Sequence, residues 1–462
     1  MSSAKRPFDL RLTENIEAIA VSIAMALVLK FFVVEAYQIP TGSMQPTILG
    51  DREAGINDRI FADKLVTMLR PPERWEVMIF RFPLDERRLY VKRIVGLPGD
   101  TLSVQGGDIW VDGAIARKPD DVNESVLKRV FPLRGDGLDV GFAFLAKGEV
   151  QVEGETARFG GDGSGRLSLR KPPILDAYLH GYESEWNIRS VIPPVYAVPD
   201  LDVALDVTLD SRDSVFSLSM VADDLRTLFE LPAEGAGTAR ITLAPTAGGA
   251  PERVFEVSPA RGLPLGESVR LSLRNVDRRM LLCVDGEEWL RVDDDESGPH
   301  PNRPVRSDLQ LAMSGAGQIE AMDVRRDIFY LPRTPHSRST RDTWEIPEGH
   351  FMGMGDNTQN SYDGRTWQTV TYTLDDGSQF TGFDFDVGGP NGSGPSDANP
   401  RRHANGSITF ADVYGDEHTF FQHEIQSETA TAAPFIHQRY LMGKAVAVFW
   451  PVFDPFRWKL IR

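Results

Sequence analysis

The chain has 462 residues, a length that allows two or three domains with sizeable hydrophobic cores. Its formal net charge of −17 argues against a nucleic-acid partner, because no basic stripe is present to neutralise phosphates. The single cysteine, Cys283, excludes an intramolecular disulfide framework and a cysteine-based metal cluster.

The first predicted element is a transmembrane helix at residues 16–37, IEAIAVSIAMALVLKFFVVEAY. Roughly twenty predominantly apolar residues are needed to cross a bilayer core. A cleaved signal peptide is the alternative, but the exit of this segment lacks a clean small-x-small cleavage site. Lys5, Arg6 and Arg11 precede the segment and Glu35 lies at its far end. The positive-inside rule therefore places the N-terminus in the cytoplasm and the remainder of the chain across the membrane.

A β-rich segment follows the helix. The runs WEVMIFRFP at 75–83 and RLYVKRIVGL at 88–97 are rich in β-branched and aromatic residues, and Pro-Gly turn chemistry closes the second. DIWVDGAI at 108–115 predicts a hairpin with Asp112-Gly113 at its tip. Helical periodicity is scarce, so we predict a mainly β fold.

A large insertion interrupts this β-core. From about 190 to 325, short runs alternate apolar and polar positions between Gly, Pro and Asp turns, which predicts an antiparallel β-sandwich resembling jelly rolls of the laminin-G type. The predicted organisation is a cytoplasmic N-terminus (1–15), a transmembrane helix (16–37), the first part of the core (38–120), the inserted domain (121–325), the second part of the core (326–367), a second insertion (368–437) and a C-terminal tail of the core (438–462).

Ser43 lies in PTGSMQPT, directly after the apolar segment. A serine hydroxyl is a poor nucleophile until a base removes its proton. The chain has eight histidines, but none has an obvious serine and aspartate partner pattern. Taken alone, Ser43 therefore fits an exit loop as well as it fits a nucleophile.

Lys92 offers a different base. It falls inside an apolar strand, where desolvation disfavours the ammonium and can bring the pKa of a lysine toward neutral, although a half-exposed strand lysine is the structural alternative. Arg93, on the opposite strand face, is expected to be solvated or paired. A third stretch, GDNTQNSYDGR, carries a second hydroxyl, Ser361, and an Asp363/Arg365 pair. Alone, this third stretch predicts a polar turn with a surface ion pair.

Together these stretches resemble the conserved boxes of type I signal peptidases, which are membrane-anchored Ser/Lys proteases. The resemblance covers about 35–117, 326–367 and 438–462, less than half of the chain, and the boxes occur in the family order. The matching stretches are PTGSMQPTILGD, RWEVMIFRFP, YVKRIVGLPGD and GHFMGMGDNTQNSYDGR, with GKAVAVFWPVF as the usual tail.

The resemblance implies a role for each matched residue of the site. Ser43 corresponds to the nucleophile, and Lys92 to the general base that later protonates the leaving amine. Ser361 would hydrogen-bond the lysine amine and fix its orientation. Thr41 falls where the family has a hydroxyl donor to the oxyanion, beside the backbone N–H of Ser43.

Supporting roles are implied for four more residues. Asp363 and Arg365 correspond to a supporting ion pair, and Asp356 to part of a structural turn. Met44 is expected near the scissile site or the lipid surface, or in the core.

This chain departs from the family pattern at two places. Gly364 stands where a serine is commoner, and Thr358-Gln359 stands where the family has a charged pair. Neither position is needed for a Ser/Lys dyad.

No cofactor and no metal are expected. His418 and His423-Glu424 have loose spacing for zinc but lack an indicated third ligand. The acidic run VDDDESG at 292–298 could hold calcium, but a solvated acidic loop explains it as well.

The resulting hypothesis is a membrane-bound signal peptidase I, a serine endopeptidase that acts through an acyl-enzyme. It implies signal peptides of exported preproteins as substrates, the bilayer and the Sec translocon as partners, and a single-pass location in the inner membrane with the catalytic part outside the cytoplasm. The inserted sandwich could bind a glycan or a protein. The alternative is a membrane-tethered binding protein whose peptidase core is degenerate.

Overall fold

In the described residues of its first part, the chain combines three α-helices with nine strands. The computed structural model describes residues 8–28, 30, 33–51, 55–131, 144–160, 164–169, 174, 176, 196–222, 225–246, 251–296, 307–333, 342–384, 399–451 and 458–462. The helices are α1 (Phe8–Val28), α2 (Leu65–Leu69) and α3 (Asp120–Val126). The strands are β1 (Val34–Gln38), β2 (Gly50–Asp51), β3 (Ile56–Asn57), β4 (Arg59–Asp63), β5 (Val77–Phe82), β6 (Asp85–Gly96), β7 (Thr101–Gln105), β8 (Asp108–Val111) and β9 (Ala114–Ile115).

The N-terminal helix differs from the predicted one. It spans Phe8–Val28, and within the described residues no helix is long and apolar enough to cross a membrane. The last four residues of the predicted span, 34–37, belong to strand β1 instead. Their backbone pairs with β4 in the register Val34↔Asp63, and a hydrophobicity window does not detect such pairing with a distant strand.

The part of the inserted domain that the structure describes contains the next fifteen strands. They are β10 (Lys128–Phe131), β11 (Phe144–Gly148), β12 (Val150–Glu153), β13 (Thr156–Phe159), β14 (Ser164–Leu169), β15 (Leu201–Leu209), β16 (Val215–Ala222), β17 (Leu225–Pro232), β18 (Arg240–Pro245), β19 (Arg253–Glu256), β20 (Ser268–Val276), β21 (Arg279–Val284), β22 (Glu287–Asp293), β23 (Ser307–Ser314) and β24 (Gly317–Arg326).

These strands form two antiparallel sheets around one hydrophobic core. One sheet has the order β12-β13-β24-β15-β20-β21-β22, with β10 beside β24, and the other has the order β11-β14-β23-β16-β17-β18-β19. Leu205, Leu218, Leu271 and Leu311 are fully buried in the shared core. The sandwich therefore begins well before residue 190, because β11 to β14 belong to the same two sheets.

The remaining strands complete the core and build the second insertion. They are β25 (Thr343–Glu345), β26 (His350–Met354), β27 (Gln368–Leu374), β28 (Gln379–Phe383), β29 (Arg401–Arg402), β30 (Ser407–Ala411), β31 (Glu417–Phe421), β32 (Ile425–Ala432), β33 (Phe435–His437), β34 (Leu441–Trp450) and β35 (Lys459–Leu460). Strands β27 to β32 form two small three-stranded sheets, β28-β27-β32 and β29-β30-β31.

The central sheet of the core reunites segments that the insertions separate. Its order is β1-β4-β34-β5-β6-β26-β33, with β35 on β34, and β7, β8, β9 and β25 form a smaller sheet. Strand β5 is buried on both faces, because Val77 and Ile79 enter one hydrophobic cluster while Met78 and Phe80 enter another. The predicted hairpin is confirmed, since β8 pairs with β9 across Asp112-Gly113.

A buried ion pair cluster joins the core to the inserted domain. Lys118 Nζ lies 2.5 Å from Asp277 Oδ1 and 2.8 Å from Asp327 Oδ2, and all three residues are almost fully buried. Although burial disfavours the ammonium, these two carboxylates raise the pKa of Lys118 well above its usual value. The insert is thus held to the core by fully desolvated charges as well as by backbone continuity.

Candidate active site

A short turn presents Ser43 at the end of β1. Gly42–Met44 forms a single 3₁₀ turn, closed by the Gln45 N–H donating to Gly42 O at 3.2 Å. Ser43 is partly exposed, whereas Met44 is 1% exposed and packs with Ile39 and Ile48 in the core. Of the positions expected for Met44, the structure places it in the core, where it anchors the turn that carries Ser43.

Lys92 reaches this turn from β6. Its Nζ lies 2.8 Å from Ser43 Oγ and 3.1 Å from Ser361 Oγ, and its side chain is 2% exposed. Burial lowers the pKa of Lys92 to about 8, because the ammonium is removed from water. A neutral amine is therefore available near neutral pH, which is what a lysine base requires.

Asp363 and Arg365, in the segment after Ser361, form a buried ion pair. Arg365 donates from Nε to Asp363 Oδ1 at 2.8 Å and from Nη2 to Asp363 Oδ2 at 2.6 Å, with both side chains buried. Burial alone would raise the pKa of Asp363, but Arg365 lowers it below its usual value. Ser361 Oγ accepts a hydrogen bond from Lys92 Nζ. The lone pair of a neutral Lys92 is then directed toward Ser43.

This Asp363–Arg365 pair is not a surface pair, contrary to what the third stretch predicts when taken alone. The Arg365 guanidinium also donates to Leu331 O at 2.8 Å and to Thr358 O at 3.1 Å. A bidentate pair with further carbonyl acceptors is the arrangement that makes burial of two charges tolerable.

Asp356 lies in the turn after β26 and pairs with Arg93. The Arg93 guanidinium donates to the two Asp356 oxygens at 2.8 and 2.7 Å, and both side chains are fully shielded from solvent. Thr47 also donates to Asp356 and so connects this pair to the segment that follows Ser43. Of the two expectations for Arg93, solvated or paired, the structure shows the paired one.

Asn357 is a site residue that the sequence analysis missed. Its backbone N–H donates to Ser43 O at 3.1 Å, and its side-chain Nδ2 donates to Gly42 O at 3.0 Å. The turn that carries Ser43 is therefore held directly by the segment that carries Ser361. The sequence offered one clue, which is that Asn357 directly follows the motif residue Asp356. An amide that is buried at such a place needs hydrogen-bond partners.

Two glycines of the last box make room for close contacts. A Cβ on Gly355 would lie 2.2 Å from Ser361 Oγ and 2.3 Å from Ser43 O, so only glycine lets these two segments approach. A Cβ on Gly364 would lie 2.4 Å from Pro434 O. This contact explains why Gly364 stands in this chain where a serine is commoner.

Thr41 precedes the turn with extended backbone angles, φ −126° and ψ 152°. It is exposed, and its side chain makes no capping hydrogen bond to the turn. Thr41 lies two residues before Ser43 in the chain, and its role as an oxyanion donor stays a prediction.

Three carboxylates at the junction with the insert form a geometrically possible cation group. Asp108, Asp200 and Asp277 each offer an oxygen within 4.8 Å of the others. Burial raises the pKa of Asp200 to about 7, and Lys118 already neutralises Asp277. We therefore assign no ion to this cluster.

The acidic run at 292–298 is engaged with arginines in the part that the structure describes. Asp293, Asp294 and Asp295 each pair with an arginine, at 2.7, 2.8 and 2.6 Å. These pairs account for the acidic side chains without calcium.

Comparison with known proteins supports the motif assignment over part of the chain. Residues 12–129 match the family model described as signal peptidase, peptidase S26. Signal peptidase I of Leptolyngbya laminosa is 34% identical over 113 residues, which are 23% of this chain and 52% of that protein. Signal peptidase I of Pseudomonas fluorescens is 45% identical over 85 residues, which are 17% of this chain and 30% of that protein.

The class of protein that the matched segment, about a quarter of the chain, resembles is the S26 peptidases. Within this class, the names of the relatives confirm the resemblance to type I signal peptidases. The chain spans about half, or less, of the length of these curated relatives.

Solved structures give only a faint likeness for the sandwich. A carbohydrate-binding module from Bacillus subtilis is 9% identical, covers 39% of this chain and 93% of its own, and has a TM-score of 0.25. A protein of unknown function with a galectin-like fold, also from Bacillus subtilis, is 11% identical, covers 43% and 96%, and has a TM-score of 0.29. These scores are too low to support a ligand for the insert.

Proposed function

We propose that the protein is a membrane-bound signal peptidase I that removes N-terminal signal peptides from exported preproteins. The observation that carries this proposal is the buried Lys92 amine, 2.8 Å from Ser43 Oγ, in a segment related to signal peptidases. A neutral lysine held at this distance can take the serine proton directly, so the site needs no histidine.

The chemistry follows from this geometry. Lys92 accepts the proton from Ser43 as Oγ attacks the scissile carbonyl carbon, and the new C–O bond gives a tetrahedral oxyanion. Collapse of this intermediate breaks the C–N bond, and the Lys92 ammonium gives its proton to the leaving amine. Water, deprotonated by Lys92, then hydrolyses the ester and restores Ser43.

The oxyanion would be held by two donors at the turn. The backbone N–H of Ser43 is one, and the exposed hydroxyl of Thr41 is the other. Donors of this kind typically contribute about 3–4 kcal/mol of transition-state stabilisation.

A cluster of exposed apolar side chains supports a position next to the bilayer. Phe61 and Leu460 both lie opposite Ala447 of β34, and Leu460 is 60% exposed. Met68 and Leu69 on α2 are also exposed, and α2 packs on β34. A surface of this kind marks contact with a membrane or a partner.

We therefore propose that the catalytic part lies against the outer face of the inner membrane. The N-terminal segment would span the bilayer once, with the N-terminus in the cytoplasm. Signal peptides delivered by the Sec translocon would then reach Ser43 from the lipid side.

The test is cleavage of a model preprotein by the full-length chain in detergent, with N-terminal sequencing of the product. We expect a cut after a small-x-small sequence, and a loss of about 10³-fold or more in rate for Ser43→Ala. Undiminished cleavage by Ser43→Ala, or no cleavage by the unaltered chain, would contradict the proposal.

The role of Asn357 gives a second prediction. Asn357→Ala removes the donor to Gly42 O and should lower kcat about fivefold, since one net hydrogen bond is worth about 1 kcal/mol. Asn123→Ala is the matched control, because Asn123 is another buried amide, and it donates to Lys118 O away from the turn. Steady-state kinetics should show the kcat loss for Asn357→Ala alone, and an equal loss for both variants would exclude a specific role.

A further inference from the structure

Gln359 connects the inserted domain to the serine that contacts Lys92. It lies in the 3₁₀ turn Thr358–Asn360, which ends directly before Ser361, and it is 3% exposed. Its Nε2 donates to Asp176 O at 2.6 Å and to Asp176 Oδ2 at 3.1 Å. Asp176 belongs to the inserted domain, so this contact crosses the boundary between the two parts of the protein.

Asp176 is itself held in place by the sandwich. Arg326, the last residue of β24, has its Nη2 3.0 Å from Asp176 Oδ1, and the Asp176 N–H donates to Tyr196 O at 2.8 Å. Arg326 and Asp176 are both largely buried. Arg326, Asp176 and Gln359 thus form a continuous buried polar chain from a sandwich strand to the turn before Ser361.

The segment that leads from the inserted domain back to the core also contacts this turn. Thr358 Oγ1 donates to Phe329 O at 2.6 Å, and Arg365 donates to Leu331 O. Since Ser361 Oγ lies 3.1 Å from Lys92 Nζ, a shift of the turn would change that distance directly.

The neutral side chain at position 359 fits this arrangement. The resemblance to signal peptidases implies a charged pair at Thr358-Gln359, but an acidic side chain at position 359 would be buried against a backbone carbonyl and a carboxylate with no donor to offer them. The departure from the family pattern therefore coincides with the place where the insert contacts the site.

We propose that Gln359 is a positioning residue through which the inserted domain, by way of Asp176 and Arg326, holds Ser361 against Lys92. The sandwich is then a structural part of the active site, and whatever binds or perturbs its Asp176 end changes the rate of cleavage. This inference rests on the proposed Ser43/Lys92 activity.

The experiment compares full-length Gln359→Ala with the unaltered chain on the model preprotein. Loosening the turn admits water to Lys92, so we expect kcat to fall about tenfold with KM unchanged, and the pH at half-maximal kcat to move upward from about 8. A merely structural role would lower the amount of folded enzyme without moving the pH profile.

Two further variants sharpen the test. Asp176→Asn keeps the backbone acceptor of Gln359 and should give a smaller loss, while the Gln359→Ala/Asp176→Asn double variant should be no worse than Gln359→Ala, because both act through one contact. Arg129→Ala is the control within the sandwich, since it removes a 2.7 Å pair with Asp323 away from the turn, and it should leave kcat and the pH profile unchanged.

A second measurement does not require catalysis. With a folded-state pKa of Lys92 near 8, the stability of the unaltered chain relative to Lys92→Met rises as pH goes from 8 to 10. This rise in relative stability with pH should be smaller when position 359 carries the Gln359→Ala change. An unchanged pH profile and an unchanged rise in stability would overturn the inference. No Ser43-dependent cleavage by the unaltered chain would instead overturn the proposed function.

Discussion

Lys92→Met is expected to abolish cleavage and, at the same time, to stabilise the fold at neutral pH. Cleavage is lost because the variant has no base within reach of Ser43 Oγ, which lies 2.8 Å from Nζ. Stability rises because methionine fills a similar volume without burying an ionisable amine. A catalytic residue that destabilises its own fold is the signature of a site selected for chemistry rather than for packing.

The sign and size of the stability change in Lys92→Met follow from the coupling between protonation of Lys92 and folding. Burial lowers the pKa of Lys92 from 10.5 to about 8, so below pH 8 the folded protein must hold an ammonium that its surroundings disfavour. This difference corresponds to about 3 kcal/mol, fully present below pH 8. Between pH 8 and 10.5 the folded amine has already lost the proton that the unfolded chain still holds, so the penalty fades as pH rises. The advantage of Lys92→Met should therefore be largest at neutral pH and vanish above about pH 10.5.

Denaturant unfolding of both proteins between pH 6 and 10.5 measures this difference. Lys147→Met is the matched control, because Lys147 is an exposed lysine on strand β11 of the sandwich, and it should change neither cleavage nor stability. In the unaltered enzyme, kcat should rise with pH to a plateau, with its half-maximum near 8. A destabilised Lys92→Met at pH 7 would show that the lysine is held as a favourable structural cation.

Sequence patterns predicted the local features of the fold better than its long-range pairing. The run of β-branched and aromatic residues in β5 and the Asp-Gly turn between β8 and β9 are local, and each was visible in a short window. The start of the sandwich was not visible in a short window, because β14 pairs with β23, which lies nearly 150 residues later in the chain. The end of the N-terminal helix was missed for a similar reason, since residues 34–37 are apolar enough for a helix but pair with β4.

The motifs pointed to the members of the candidate site but not to how they are held. Ser43, Lys92 and Ser361 come from three distant stretches, and the structure brings their polar atoms within 2.8–3.1 Å. Asn357 and Gln359 were missed because their partners are backbone carbonyls and an aspartate that no motif spacing identifies.

Arg93→Met is expected to destabilise the protein by about 3–5 kcal/mol, the usual cost of removing one partner of a buried ion pair. Asp356 would keep a charge that is fully shielded from water and would lose both guanidinium hydrogen bonds. Trp75 O would also lose its donor from Arg93 Nη1 at 2.7 Å. Arg93 therefore contributes mainly by neutralising a carboxylate that the fold has already buried.

The double variant Arg93→Met/Asp356→Asn separates this charge effect from packing. Because the double variant removes both charges, it should recover much of the lost stability. The carbonyls to which Arg93 donates would still lack their donor. Arg333→Met, which breaks an exposed pair with Asp342 at 3.0 Å, is the control and should cost less than about 1 kcal/mol.

Denaturant unfolding at pH 7 distinguishes the outcomes. If the double variant is no more stable than Arg93→Met, the loss comes from the guanidinium packing and its carbonyl contacts. Since Asp356 directly precedes Asn357, which holds Gly42 and Ser43, recovered stability with impaired cleavage in the double variant would show that the pair also fixes the turn that carries Ser43.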